Sequence, residues 1–172
     1  GTSGGAGAYS ERHIPYLRLI ADRCHMCGSR FFVQLGKGGY DFSASGSKDV
    51  NALTTADLEQ IRDDFIHAAY LCFCAGADGV ELHGAHGFFL NMMASSGANR
   101  RSDKYGGDLY GRMRLVREIA EGIRKFANDD FILSYRMGWT HSPEEDIEAA
   151  QALENIGIEM LHVSHGIPET RV

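Results

Sequence analysis

An α/β fold on a parallel sheet, about half of a (β/α)8 TIM barrel, is the architecture this sequence predicts. Three observations predict it. Helical and strand patterns alternate four times between Ile14 and Val163, and such alternation builds a parallel sheet joined by crossover helices. The long connections follow strands, Gly36 to Leu53 after the first and Gly84 to Asp108 after the second, whereas helix-to-strand connections are short. Barrels carry their chemistry in βα loops and show that asymmetry. Finally, no strand is followed by the glycine-rich phosphate turn that the competing doubly wound sheet would want.

Gly1 to Ala8 is rich in glycine and small residues and reads as an irregular lead-in; Gly5 and Gly7 follow no strand, so they fail the context test for a dinucleotide fingerprint. Ile14, Leu17, Ile20, Ala21 and Cys24 then mark one face of a helix reaching Cys27, with Pro15 in its first turn and Gly28 just past its end. Phe31 to Leu35 is short, apolar and β-prone, a buried strand. Thr54 or Thr55 caps a second helix that runs to about Ala75, with Gly76 behind it. Asp78 to Leu82 is the second strand. The long loop after it predicts a helical turn at Phe89 to Ala94, and a third helix covers Leu109 to Phe126. Arg114/Glu118, Arg117/Glu121 and Glu121/Lys125 stand at i,i+4 spacing and predict a solvated face. Phe131 to Arg136 is the third strand. Ser142-Pro-Glu-Glu145 spells a capping box opening a fourth helix that ends before Gly157, and Ile158 to Val163 is the fourth strand.

The 172 residues suffice for a domain with a real core, and the net charge of −6 argues against a nucleic-acid surface. No apolar run is long enough to span a membrane. Cys24 and Cys27 have C-x-x-C spacing, but at a helix end they read as buried or half-buried structural thiols, and Cys72 and Cys74 point to different sides of their helix. Reduced cysteines without a recognisable leader predict a cytoplasmic setting.

The chemistry concentrates at Glu81-Leu-His-Gly-Ala-His-Gly-Phe88. His83 and His86 stand where the second strand's apolar run stops, the end at which parallel α/β folds bind ligands. Two imidazoles there suit a site that donates hydrogen bonds to a carbonyl oxygen as it gains negative charge. Read from residues alone, a His-x-x-His pair is more often a structural or metal-binding feature than an oxyanion clamp, although the glutamate of H-E-x-x-H is missing. Gln34 in a buried strand reads first as a structural residue satisfying a backbone group, and Arg136 at a strand end is as readily an ion-pair partner. His162 reads as a core or barrel-interior histidine; His13, His25, His67 and His141 read as surface residues. His165 is better placed to face a ligand, though no motif supports it. Arg100, Arg101, Asp103 and Arg112 are expected to brace the long loop.

The ordered set Phe32-Val-Gln-Leu35, Asp78 to Gly87, Leu90-Asn91, Asn99 to Gly107, Arg112, Tyr135-Arg136 and Leu161-His-Val-Ser164 resembles the Old Yellow Enzyme family of flavin-dependent ene-reductases and NAD(P)H:flavin oxidoreductases. The resemblance covers almost the whole chain. It implies that residues 1–172 form a partial barrel, from the second helix to the sixth strand, completed by further sequence or by a second chain. It also implies bound FMN, reduced by NADH or NADPH, that passes hydride to an electron-poor alkene such as an enone or enoate. By position, Gln34 matches the glutamine at the flavin pyrimidine edge. His83 and His86 match the carbonyl-binding pair, with His83 also near the flavin, and Arg136 matches the arginine beside N1 and O2. Two departures stand out: Phe88 occupies the place of the usual proton-donating tyrosine, and Leu35-Gly-Lys-Gly-Gly-Tyr40 replaces a Leu-Trp-His-Ala-Gly-Arg segment. Two other functions remain open at this point: a metal-dependent barrel hydrolase using His83 and His86, and a non-catalytic barrel fragment that associates with another chain. The open edges and an apolar inner face are expected to drive pairing, as a homo-oligomer or with a complementary barrel half.

Overall fold

The computed structural model describes residues 7–37 and 49–164. Most of the lead-in, Gly38 to Tyr40 of the segment after Gln34, and His165 lie outside those residues. Helix α1 (Ile14–Met26) precedes strand β1 (Phe32–Leu35), α2 (Thr55–Cys74) precedes β2 (Gly79–Gly84), and α5 (Arg114–Arg124) precedes β3 (Ile132–Met137). Helix α6 (Pro143–Ile156) then leads into β4 (Met160–Val163), and the short α3 (Phe89–Ala94) and α4 (Leu109–Arg112) lie in the β2–α5 connection. The four strands form one parallel sheet in the order β1-β2-β3-β4.

The strand pleat sorts the sheet into two chemically different faces. Val33, Leu35, Val80, Leu82, Leu133 and Tyr135 point to one side and join a continuous apolar cluster with Leu58, Ile61 and Phe65 of α2 and Leu115, Ile119 and Ile123 of α5. Helices α2 and α5 approach so closely that a β-carbon on Gly122 would collide with Ile66. The register aligns Gln34, Glu81 and Ser134 on the opposite face, and one step further His83, Arg136 and His162. This corrects the expected apolar inner face: the inner face is polar over its C-terminal half. On the sheet, exposed apolar side chains stand on the edge strand β4, at Met160, Leu161 and Val163.

Local chemistry sets the boundaries. Thr54 and Asp57 form the reciprocal capping box that opens α2. Ser142 caps α6 by accepting from the Glu145 N–H, and Gly157 ends that helix in the left-handed region at φ 90°. The Glu145 carboxylate, however, turns to the long loop rather than back to its own cap. Gly28 follows α1 at φ 71°. The predicted third helix is interrupted at Met113, because Arg112 is tied to the loop carbonyls of Ala94 and Gly107. Its charge run is also not simply solvated: Glu118 accepts from Tyr105 and Arg62, and Arg117 lies over the Tyr110 ring at 3.8 Å. All four cysteines are free thiols; Cys72 is buried, Cys24 and Cys74 are half-buried, and Cys27 is exposed, contrary to expectation.

The loop after β2 is braced as anticipated. Arg101 donates to the Val50 and Leu53 carbonyls and pairs with Asp103. Asn99 donates to the Met93 and Tyr105 carbonyls. Arg100 is exposed and contributes its backbone N–H to Asn51. Arg112 is buried and adds an ion pair to Glu145 at 2.7 Å. Removing that guanidinium leaves a carboxylate and two carbonyls short of partners. Arg112→Leu in the full-length protein is expected to cost about 3 kcal/mol or more. It should appear as a lower urea midpoint at unchanged slope; an unchanged midpoint would remove Arg112 from its bracing role.

Candidate functional site

Strand β2 runs two residues beyond its apolar stretch, so His83 belongs to the strand and its side chain joins the inner face. His86 sits in the turn that follows, at φ 59°, the one non-glycine residue with positive φ among the described residues. Gly138 lies behind that turn, and a β-carbon there would stand 2.7 Å from the Ala85 Cα and 3.1 Å from the His86 nitrogen. Asn91 holds the turn from the other direction, accepting from the Gly87 N–H and donating to the Trp139 carbonyl. The chain therefore brings the two imidazoles to 5.4 Å between ring centroids, edge to face, with Phe88 packed 4.8 Å from His83.

The rings sit among positive charge and apolar surface. Burial, then the neighbouring His86 and Arg136, depress the His83 imidazole to about 4. Burial first, then Arg136 and His162, lower His86 as well. Both are neutral at pH 7 and each carries one N–H. Arg136 stands beside His83 in the register and donates through Nη2 to the Ser164 hydroxyl at 3.1 Å. The same hydroxyl lies 2.7 Å from His86 Nε2.

A second network fills the row below. Gln34 donates to Glu81 at 2.7 Å, Ser134 donates to the other carboxylate oxygen at 3.3 Å, and His162 Nδ1 lies 3.1 Å from that oxygen. His162 is thus an inner-face residue, as expected, but half of its side chain is exposed because β4 is the sheet edge. Sequence reasoning left Glu81 and Ser164 without a role. Strand periodicity was the available signal: Glu81 stands two before His83, and Ser164 two after His162.

Among the described residues, two buried polar atoms of this face have no hydrogen-bond partner, His83 Nδ1 and Arg136 Nε. Buried polar groups are normally paired, so unpaired ones on this polar face ask for a ligand. A planar heterocycle rich in acceptors and carrying negative charge fits this donor set; a flavin is such a group. A metal ion finds less here, since no three His, Cys, Asp or Glu side chains gather among the described residues. No helix among them is long and apolar enough to cross a membrane.

Comparison with known proteins agrees with this chemistry. The family model described as the NADH:flavin oxidoreductase / NADH oxidase family matches residues 1–166. The chain is 31% identical to the NADH oxidase of Thermoanaerobacter brockii, over 88% of this chain and 27% of that protein. It is 33% identical to 12-oxophytodienoate reductase 1 of Oryza sativa subsp. japonica, over 68% of this chain and 37% of that protein. The structure of the old yellow enzyme homologue from Zymomonas mobilis superposes with a TM-score of 0.76 at 23% identity, covering 93% of this chain and 54% of that one, a likeness of fold. The chain thus spans roughly a quarter to two-fifths of the curated relatives' length. With a family model matched along nearly its whole length, the chain belongs to the NADH:flavin oxidoreductase / NADH oxidase family.

Proposed function

We propose that residues 1–172 are the third-to-sixth-strand section of a TIM-barrel oxidoreductase that uses FMN and NADH or NADPH to reduce an activated alkene. The observation that carries this reading is the pair of unpartnered buried nitrogens, on His83 and Arg136, side by side on the inner face of a flavin-oxidoreductase sheet. FMN, when bound, supplies a hydride carrier between the nicotinamide and the alkene carbon. Gln34, His83 and Arg136 are the residues of this chain that would hold it: an amide at the base of the row, the His83 ring above it, and a fixed positive charge. His83 and His86 together present neutral N–H donors to the carbonyl oxygen of an enone or enoate, where charge accumulates as the bond order falls. The relative named 12-oxophytodienoate reductase, whose name carries an oxo group and a diene, supports that substrate class. Phe88 has no exchangeable proton, so the α-carbon proton comes from water or another loop. The exposed edge at Met160, Leu161 and Val163 requires cover, from the rest of a single barrel, a complementary half, or a second copy.

Three outcomes are expected in the full-length protein. Replacing His83 and His86 together by Ala should slow alkene reduction by the pre-reduced enzyme on the order of 10²-fold while flavin content changes far less. A normal rate in stopped-flow would remove the carbonyl-clamp role. Arg136→Leu should lower flavin content and make the bound flavin harder to reduce, because a fixed cation beside a ring that gains negative charge is lost; an unchanged potential would refute it. The third outcome concerns pH. The His83 imidazole titrates near 6.5 when unfolded and near 4 when folded, so the unfolded state takes up the proton first as pH falls. Its contribution to stability is therefore lost progressively below pH 6.5 and levels off below about 4. Thermal melts of wild type and His83→Phe should diverge in slope across that window; parallel profiles would show that His83 is not buried neutral.

A further inference from the structure

The hydrogen-bond inventory around Ser164 decides a question of proton placement. A guanidinium donates and never accepts, so the 3.1 Å bond from Arg136 Nη2 uses Ser164 Oγ as acceptor. A serine hydroxyl carries one proton. Its nearest acceptor is His86 Nε2, at 2.7 Å. If Nε2 held the ring proton instead, the hydroxyl would receive two donors and its own proton would find no acceptor among the described residues. If the ring were an imidazolium the same conflict would arise beside a fixed cation. Burial, Arg136 from β3 and His162 from β4 all disfavour a charged His86, and the His83 ring from β2 packs edge to face against it. The backbone is equally constrained, with His86 held at φ 59° against Gly138.

We propose that Ser164 is a positioning residue that holds His86 as the Nδ1–H tautomer, its own hydroxyl donating to Nε2 while accepting from Arg136. The Arg136 charge polarises the hydroxyl, which makes it a better donor to the imidazole. The consequence for chemistry rests on the function proposed above: the free N–H of His86 is then Nδ1–H, and that is the proton offered to the substrate carbonyl. The chain Arg136–Ser164–His86 also ties the charge that faces the cofactor to the ring that faces the substrate.

The test is two-bond ¹H–¹⁵N correlation of the full-length flavin-loaded protein labelled with ¹⁵N-histidine. In the wild type His86 Nε2 should resonate as an unprotonated nitrogen and Nδ1 as a protonated one. Ser164→Ala should give mixed tautomers and an upward shift of the His86 titration, since the neutral ring loses its donor; Ser164→Thr should restore both. A protonated Nε2 in the wild type, or no change in Ser164→Ala, overturns the assignment. In parallel, alkene reduction by the pre-reduced Ser164→Ala enzyme should fall roughly fivefold, the worth of one ordinary hydrogen bond, and recover in Ser164→Thr. If the spectra behave as stated and this rate does not change, the tautomer assignment stands and the carbonyl contact of His86 is what fails.

Discussion

In a parallel ladder, residues paired across strands point to the same side, and this in-step pleat divides the molecule's chemistry. One parity of β2 gives Val80 and Leu82 to the helices, and the other gives Glu81 and His83 to the inner face. Because β1, β3 and β4 keep register with β2, single residues on each become rows: Gln34, Glu81 and Ser134, then His83, Arg136 and His162. A slip of one residue in any strand would bury these polar groups among apolar side chains and expose the core. The site and the core are thus two sides of one constraint, and neither can be altered in register without the other.

The long connection after β2 answers a different demand. It is too long to be left unsupported and too buried to be left unpaired, so side chains meet its carbonyls, Asn99 for Met93 and Tyr105 and Arg112 for Ala94 and Gly107, while Arg101 ties it to the Val50 and Leu53 carbonyls just before α2. Glu145 closes the set from α6, accepting from Ser96 and Arg112 together. The first helix turn after β3 therefore anchors the loop that begins at His86, which explains why a capping-box glutamate abandons its own helix end.

Much of this was legible in the chain. Helices announced themselves through caps and apolar periodicity, and the predicted turn at Phe89 to Ala94 is α3. Strand ends were less visible, since β2 continues through His83 and Gly84, residues whose types carry no β signal. The fate of charges was least legible. Arg114, Glu118 and Glu145 sit at spacings that suit local helix pairs, yet long-range partners from the loop and from α2 take Glu118 and Glu145, and Arg114 donates to the Lys104 carbonyl. The histidine pair, Gln34 and Arg136 were named from motif resemblance; the sheet places Gln34, His83 and Arg136 on one face, and the turn after β2 sets His86 against His83. Glu81 escaped notice because a carboxylate between apolar neighbours reads as solvent-facing until its parity is counted.

Gly138 meets the site through its backbone, where its N–H donates to the Gly84 carbonyl at 3.0 Å. Its importance is thickness. The strand end it occupies is a shim between β3 and the turn that carries His86, sized to a hydrogen atom. Any side chain there would be transmitted to the imidazole as a displacement of its backbone, so the alignment of the two histidines is set partly by a residue with no side chain to lose. A search for functional positions that scores only chemical groups would pass over it, whereas tolerance to substitution would rank it with the imidazoles themselves.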